Sequence, residues 1–358
     1  MPGRRGADRA TFRVGVTRDL RGSDGKPFAD IGLDTLDGHD EISWAFLAED
    51  ADVLTPELVA GFDALFVGRP AVPAESVERN DDLTLLARWG VGFEKIDVAA
   101  CTRNGVAISL APDGVRRPVA VAALTLVLAL SQNLVRLDRL TRAGRWDERR
   151  SLIGMGLVGR TVGIVGLGNI GGELVQLLAP FDVDVIASDP WVDETAAGAF
   201  GAMLVSLDEL LARSDFVVLL CPLTETTHHL VDADALAAMR PGAFLVNVSR
   251  GGVVDQQALG DALANGVIRG AGIDVFEHEP LRSDDPLLAL DNVIVTPHAL
   301  CWTDQCLRDC GVSAWLSVLA VVGGRAPDRL ADRSVLENCR FQDALRRRAD
   351  LVATDLPG

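Results

Sequence analysis

The sequence predicts an α/β protein built on two doubly wound parallel sheets, and three observations carry that expectation. Short apolar, β-branched runs alternate with helical or turn segments along the chain. One such run, Thr161 to Val165, passes straight into Gly166-x-Gly168-x-x-Gly171 and then into Leu174, Leu177, Leu178 and Phe181 at helical spacing. A chain of 358 residues with 48% hydrophobic content is also long enough to bury two cores of ordinary size.

Taken in order, residues 1–10 are charged, rich in glycine and arginine, and read as a disordered leader. Their paired arginines have no apolar stretch behind them, so they do not form a secretory or twin-arginine signal. Residues 12–16, 43–47, 64–67, 83–87 and 106–109 read as strands of a first sheet. Thr55-Pro56-Glu57 is a helix start, with a capping residue followed by proline at the first helical position. Pro112-Asp-Gly marks a boundary, and a long helix is expected from about Pro118 to Ala143. The Gly154-Met-Gly loop then leads to the strand at 161–165. Further strands are expected at 183–188, 202–205, 216–220, 243–248, 270–275 and 292–295, making seven candidates between Thr161 and Val295. Ser206-Leu-Asp-Glu209 is a capping box before the helix Leu207–Arg213. After His298 the chain turns helical through Trp315 and Leu319 until Gly323-Gly breaks it, and residues 340–358 read as a short helix and a loose tail.

Composition narrows the function classes. A net charge of 34 − 51 = −17 opposes a surface that tracks nucleic-acid phosphates. The longest apolar run, Val119 to Leu130, is interrupted by Thr125 and is too short to span a bilayer. Six scattered cysteines suit a reduced, cytoplasmic protein better than a disulfide scaffold. Cys301, Cys306 and Cys310 with His298 match no familiar metal-ligand spacing, so no metal is expected; Cys306 and Cys310, one helical turn apart, read as core residues. His228-His229 reads as a surface turn, and Arg116-Arg117 either as a basic pair near a cleft or as exposed loop.

Chemistry is concentrated in the glycine stretch and at strand ends. With 35 glycines a lone GxGxxG is weak, but here strand, turn and helix follow in the order a dinucleotide site needs. The first glycine allows the turn, the second lets backbone approach the pyrophosphate, and the third permits close helix–strand packing. Asn169 and Ile170 open the helix, whose N-terminus offers N–H groups to phosphate. Asp189 ends the next strand about 20 residues on, where a ribose-binding acid is expected, and the set points to NAD. Arg250, Asp274, Glu279 and His298 each follow a predicted strand. An arginine to grip a carboxylate and polarise a carbonyl, beside a histidine to give a proton, suits reduction of a 2-keto acid.

The chain resembles the D-isomer-specific 2-hydroxyacid dehydrogenases. The matching stretches are 87–97, 163–171, 221–227, 239–252, 272–280 and 296–298, with similarity over about 12–338. The resemblance implies a Rossmann NAD-binding domain at 113–300 inserted into a flavodoxin-like substrate domain (11–112, returning at 301–338), followed by a tail at 339–358. It implies that Arg250 binds substrate, His298 is the acid/base and Glu279 orients and charges it. Asp274 would contact the nicotinamide end, Val91 and Gly92 would hold the substrate carboxylate, and Pro222, Thr227 and Val248 would line the cofactor cleft. A small 2-hydroxy or 2-keto acid substrate and a homodimer built on the nucleotide domain follow from it. So does a rival reading, an NAD-sensing corepressor or scaffold of the same fold. Formate dehydrogenases typically pair the histidine with glutamine, against Glu279 here, whereas phosphite oxidation uses a similar trio. The sequence departs from the family pattern at Phe93-Glu-Lys, at Val121, at Ala299-Leu-Cys and at Gly68. At Gly68, phosphoglycerate-type members usually carry an arginine. A substrate without phosphate is therefore expected.

Overall fold

The structure, a computed structural model, describes residues 11–78 and 80–354. The leader read at 1–10 and the end of the expected tail lie outside them. The chain divides into two compact units. One runs up to Val115 and resumes at Thr303; the other is Arg116–Trp302.

The first unit is built on β1 (Phe12–Val16), β2 (Ile42–Phe46), β3 (Ala64–Val67), β4 (Leu85–Arg88) and β5 (Ala107–Ser109). All neighbours pair in parallel, in the order β2-β1-β3-β4-β5. Because side chains alternate across a strand, a sheet covered on both faces needs continuous apolar runs. In β3, Ala64 and Phe66 enter one core with Phe12, Val14, Trp315 and Phe341, while Leu65 and Val67 enter another with Leu47, Leu86 and Ile108. The return segment supplies the helix Asp304–Val322, whose Trp315 is fully buried and donates its indole N–H to the Ile31 carbonyl at 2.9 Å.

The short helix expected from residue 340 is longer, the 16-residue Cys339–Thr354. Phe341 is fully buried in the first unit, and the Arg340 guanidinium donates to the Asn104 and Leu83 carbonyls at 2.7 and 3.3 Å. These partners lie more than 200 residues away in sequence, so a local reading of this arginine-rich stretch sees only its solvated face.

The second unit is built on β6 (Thr161–Val165), β7 (Asp184–Ser188), β8 (Met203–Leu204), β9 (Phe216–Leu219), β10 (Phe244–Asn247), β11 (Gly270–Ile273) and β12 (Val293–Val295). It is again parallel throughout, in the order β12-β11-β10-β9-β6-β7-β8. Winding therefore reverses between β6 and β9, which opens a crevice beyond the end of β6. Ser206 caps Leu207–Arg213 by accepting the Glu209 N–H at 3.2 Å, but the Glu209 carboxylate pairs with Arg213 rather than reaching back.

The long central helix departs from expectation. It starts at Pro112, carries Pro118 inside it and stops at Ser131. A separate helix, Leu134–Arg142, follows Asn133, which adopts a left-handed φ of 52°. The Asn133 side chain donates to the Leu152 and Ile153 carbonyls, and that long-range anchor holds the break. Pro112–Ser131 and Asp304–Val322 are both long and apolar enough to cross a bilayer, contrary to the measure of the 119–130 run alone. Their apolar windows are 50% and 61% buried within the protein, as core helices are. Arg116 and Arg117 lie on the first of these helices, not in a loop, and both pair with Glu173.

Candidate active site

The three glycines after β6 are needed for three different reasons. Gly166 has φ +96°, and a Cβ there would come within 2.7 Å of the Cys221 backbone nitrogen. Gly171 packs against the Gly166 carbonyl, which a Cβ would approach to 2.4 Å. Gly168, by contrast, would have nothing within 4 Å of an added Cβ, its chain neighbours aside, and precedes Asn169–Leu178 with no side-chain cap. Its bareness therefore serves no protein contact. It leaves the N–H groups around Asn169 and Ile170 open to an anion. Asp189 closes the other side, with Oδ2 accepting the Leu167 N–H at 2.8 Å and Oδ1 the Trp191 N–H at 2.9 Å. A carboxylate fixed beside an uncapped helix N-terminus suits the ribose and phosphates of NAD.

The remaining cofactor candidates are placed differently. Pro222 and Thr227 share one turn, in which the Thr227 hydroxyl donates to the Pro222 carbonyl at 2.7 Å and accepts the Thr224 N–H at 2.7 Å. Val248 is 8% exposed and belongs to the core with Phe216 and Phe244.

Beyond the ends of β10, β11 and β12 lie Arg250, Glu279 and His298, of which Glu279 and His298 are in direct contact. Asn247 shapes the first turn, donating to the Arg250 carbonyl at 3.0 Å and accepting from the Ser249 N–H and hydroxyl. Gly251 then passes so close to the Phe276 backbone that a Cβ would fall 1.8 Å from its carbonyl carbon. The Phe276 N–H donates to Oε1 of Glu279 at 3.1 Å. Glu279 in turn faces Nδ1 of His298, at 2.8 Å from Oε2 and 3.1 Å from Oε1. His298 is one of few non-glycine residues with positive φ, 52°, a conformation that L-residues adopt only when held.

The holding comes from Asp274. Its carboxylate is buried and accepts the Thr296 hydroxyl at 2.6 Å and the Ala299 and Leu300 N–H groups at 3.2 and 3.3 Å. Asp274, for which the resemblance implies a nicotinamide contact, thus grips both flanks of the histidine turn. The His298–Glu279 pair is itself partly exposed, with side chains 44% and 34% accessible, so it adds little to stability. Its effect is geometric: the carboxylate fixes the ring through Nδ1 and leaves Nε2 outside that bond.

A second histidine contact was invisible in the sequence. His229, read as surface turn, stacks on His228 and places Nε2 2.7 Å from Oε1 of Glu277, which also accepts the Gln256 N–H. These bonds brace the segment carrying Glu279 from behind. Only the adjacent histidines hinted at it.

In the first unit, Val91 and Gly92 follow β4. The Arg88 guanidinium donates to the Gly92 carbonyl at 2.8 Å, to Trp89 at 2.9 Å and to Val67 at 3.1 Å, and so shapes the loop bearing both residues.

Comparison with known proteins agrees with this architecture. Residues 124–299 match the family model described as D-isomer specific 2-hydroxyacid dehydrogenase, NAD binding domain. A D-3-phosphoglycerate dehydrogenase of Mycobacterium tuberculosis is 42% identical over 268 residues, 74% of this chain and 50% of that protein. The chain thus spans about half the length of such relatives. A glyoxylate reductase of Korarchaeum cryptofilum is 34% identical over 330 residues, 91% of this chain and 97% of that protein. Among solved structures, the TT0316 protein from Thermus thermophilus superimposes with a TM-score of 0.78 at 31% identity, over 90% of this chain and all of that one. The chain accordingly belongs to the D-isomer-specific 2-hydroxyacid dehydrogenase family, with the family's NAD-binding domain on its seven-stranded sheet.

Proposed function

We propose that the protein is an oxidoreductase that interconverts a small 2-hydroxy acid and its 2-keto acid with NAD(H). NAD, when bound, accepts or supplies the hydride. Arg250 binds the substrate, its guanidinium suited to a carboxylate and to a polarised carbonyl. His298 moves the proton through Nε2, giving it to the nascent alkoxide in reduction and taking it from the hydroxyl in oxidation. Glu279 holds the ring through Nδ1. Val91 and Gly92 offer backbone to the substrate carboxylate. The observation that carries this reading is the bond from Nδ1 of His298 to Glu279, on the same sheet as the glycine loop.

The test is a panel of 2-keto acids (glyoxylate, hydroxypyruvate, pyruvate, bulkier analogues and 3-phosphohydroxypyruvate) assayed with NADH. Turnover of at least one, lost in His298→Asn, is expected; no turnover of any would overturn the reading. The proposal extends to a cytoplasmic homodimer formed through the NAD-binding domain. Leu134, Trp146, Ile153 and Val158 are 59–77% exposed there, an apolar set that suits burial by a second copy. A monomeric mass by light scattering at micromolar concentration would refute the dimer.

A further inference from the structure

The loop after β11 carries two glutamates, two positions apart, with different partners. Glu279 faces His298. Glu277 instead meets the segments that flank Arg250. Its Oε1 lies 2.7 Å from Nε2 of His229 and accepts the Gln256 N–H at 3.1 Å. A carboxylate only accepts, so that ring nitrogen is the donor. The Glu277 N–H donates in return to Oε1 of Gln256 at 3.2 Å, and the Gln256 amide is held from its other end by Asp285 at 2.8 Å.

Both partners of Glu277 are fastened to the arginine turn. Gln256 opens the helix Gln256–Ala264 that follows it. The His229 N–H donates to the Gly252 carbonyl at 2.8 Å, and the pairing continues through Val231 to Val253 at 3.0 Å and Asp255 to Val231 at 3.1 Å. His229 has a left-handed φ of 51°, a conformation that L-residues adopt only when held. Between these ties the two backbones touch: a Cβ at Gly251 would lie 1.8 Å from the Phe276 carbonyl carbon and 2.3 Å from the Glu277 nitrogen. All of these residues belong to the second unit. The Arg250 turn and the Glu279 loop are thus pressed together at Gly251 and bound across by one carboxylate.

We propose that Glu277, through His229 and Gln256, is a positioning residue that sets the Arg250 turn against the loop bearing Glu279. The inference rests on the reading of the protein as a keto-acid reductase and deepens it. Arg250 and His298 stand beyond different strands, so a substrate gripped by one must be presented to the other. A displacement of about 1 Å in such an arrangement can lower turnover by about 10²-fold. Glu277 acts on that geometry and not on the proton.

The test measures kcat and KM for the best keto acid of the panel, per site counted by NADH titration. Glu277→Ala should lower kcat by about 10- to 100-fold, with KM and NADH affinity within about threefold of wild type. Glu277→Gln keeps an acceptor oxygen for His229 and Gln256 and should restore kcat to within about fivefold. His229→Asn tolerates the left-handed backbone but shortens the reach to Glu277, and kcat should fall about tenfold. Adding it to Glu277→Ala should cost no more than about another twofold, because the two side chains form one link. A merely structural role would lower the melting temperature and leave kcat per site, and the difference between Ala and Gln, unmoved. If Glu277→Ala does not fold, His229→Asn and Glu277→Gln carry the test, and wild-type kcat in His229→Asn overturns the inference. Unchanged kcat in Glu277→Ala, or losses that multiply in the double variant, would overturn it while wild-type turnover leaves the parent reading standing. If wild type reduces no keto acid, the parent reading falls and takes this one with it.

Discussion

The two sheets obey one rule and end in different chemistry. Both are parallel, both are covered on two faces, and both reverse winding beside their first strand. In the seven-stranded unit the crevice at that point is kept open. A Cβ at Gly168 would meet nothing within 4 Å, the helix N-terminus has no side-chain cap, and a histidine stands in a left-handed conformation. In the five-stranded unit the Asp19 carboxylate occupies the space beside Gly68, and the loops there are stitched by Thr17 and Arg88. The difference teaches that the strand order chooses where a ligand can sit, while the few residues just past the strand ends choose what it can be.

The contrast can be broken most forcefully at the histidine. His298→Asn should lower kcat for keto-acid reduction by roughly 10²–10⁴ while NADH affinity, followed by fluorescence titration, stays close to wild type. Near-normal turnover would move the proton step to another group. Arg250→Lys keeps the charge but loses the planar fork, and kcat/KM should fall by about 10- to 100-fold, mostly through substrate binding. A change confined to NADH affinity would contradict that assignment.

Smaller effects sharpen the comparison. NADH should be preferred to NADPH by at least about tenfold in kcat/KM, because Asp189 repels a 2′-phosphate. Equal values for the two cofactors would refute the ribose role. Gly168→Ala meets no protein atom, so the melting temperature should hardly move while NADH binding weakens; a large drop in stability would mean that the crevice is not kept open for a ligand. In Glu279→Gln the ring loses the carboxylate that fixes it through Nδ1, so kcat should fall by about tenfold or more while NADH affinity holds. An unchanged kcat would separate Glu279 from the proton step. At one point the units should not differ: burial pushes the Cys101 thiol up to about 12 and the Cys221 thiol up to about 11. Neither should alkylate in the native protein at pH 8, whereas the exposed Cys339 should.

Most of the sheet architecture could be read from local pattern. β1 and β3 begin and end where their apolar runs do, and the seven strands expected between Thr161 and Val295 are all present. Buried parallel strands are continuous apolar stretches, and glycine loops and capping residues act within a few positions, so a single stretch of sequence contains the cause. The pairing of motif residues across the chain was legible only through family resemblance.

What the chain could not reveal locally depends on partners brought together by folding. Asn133 breaks the long helix because the carbonyls of Leu152 and Ile153 come to its amide. Phe341 anchors the C-terminal helix because a core formed by β1 and Trp315 receives it. Asp274 becomes the clamp of the histidine turn, and Asp19 the occupant of the place beside Gly68, through contacts spanning about 20 and 50 residues. Periodicity and propensity are properties of neighbours in sequence. A hydrogen bond or a filled space between distant segments exists only once the sheets have assembled, and these are the contacts that set the site's geometry.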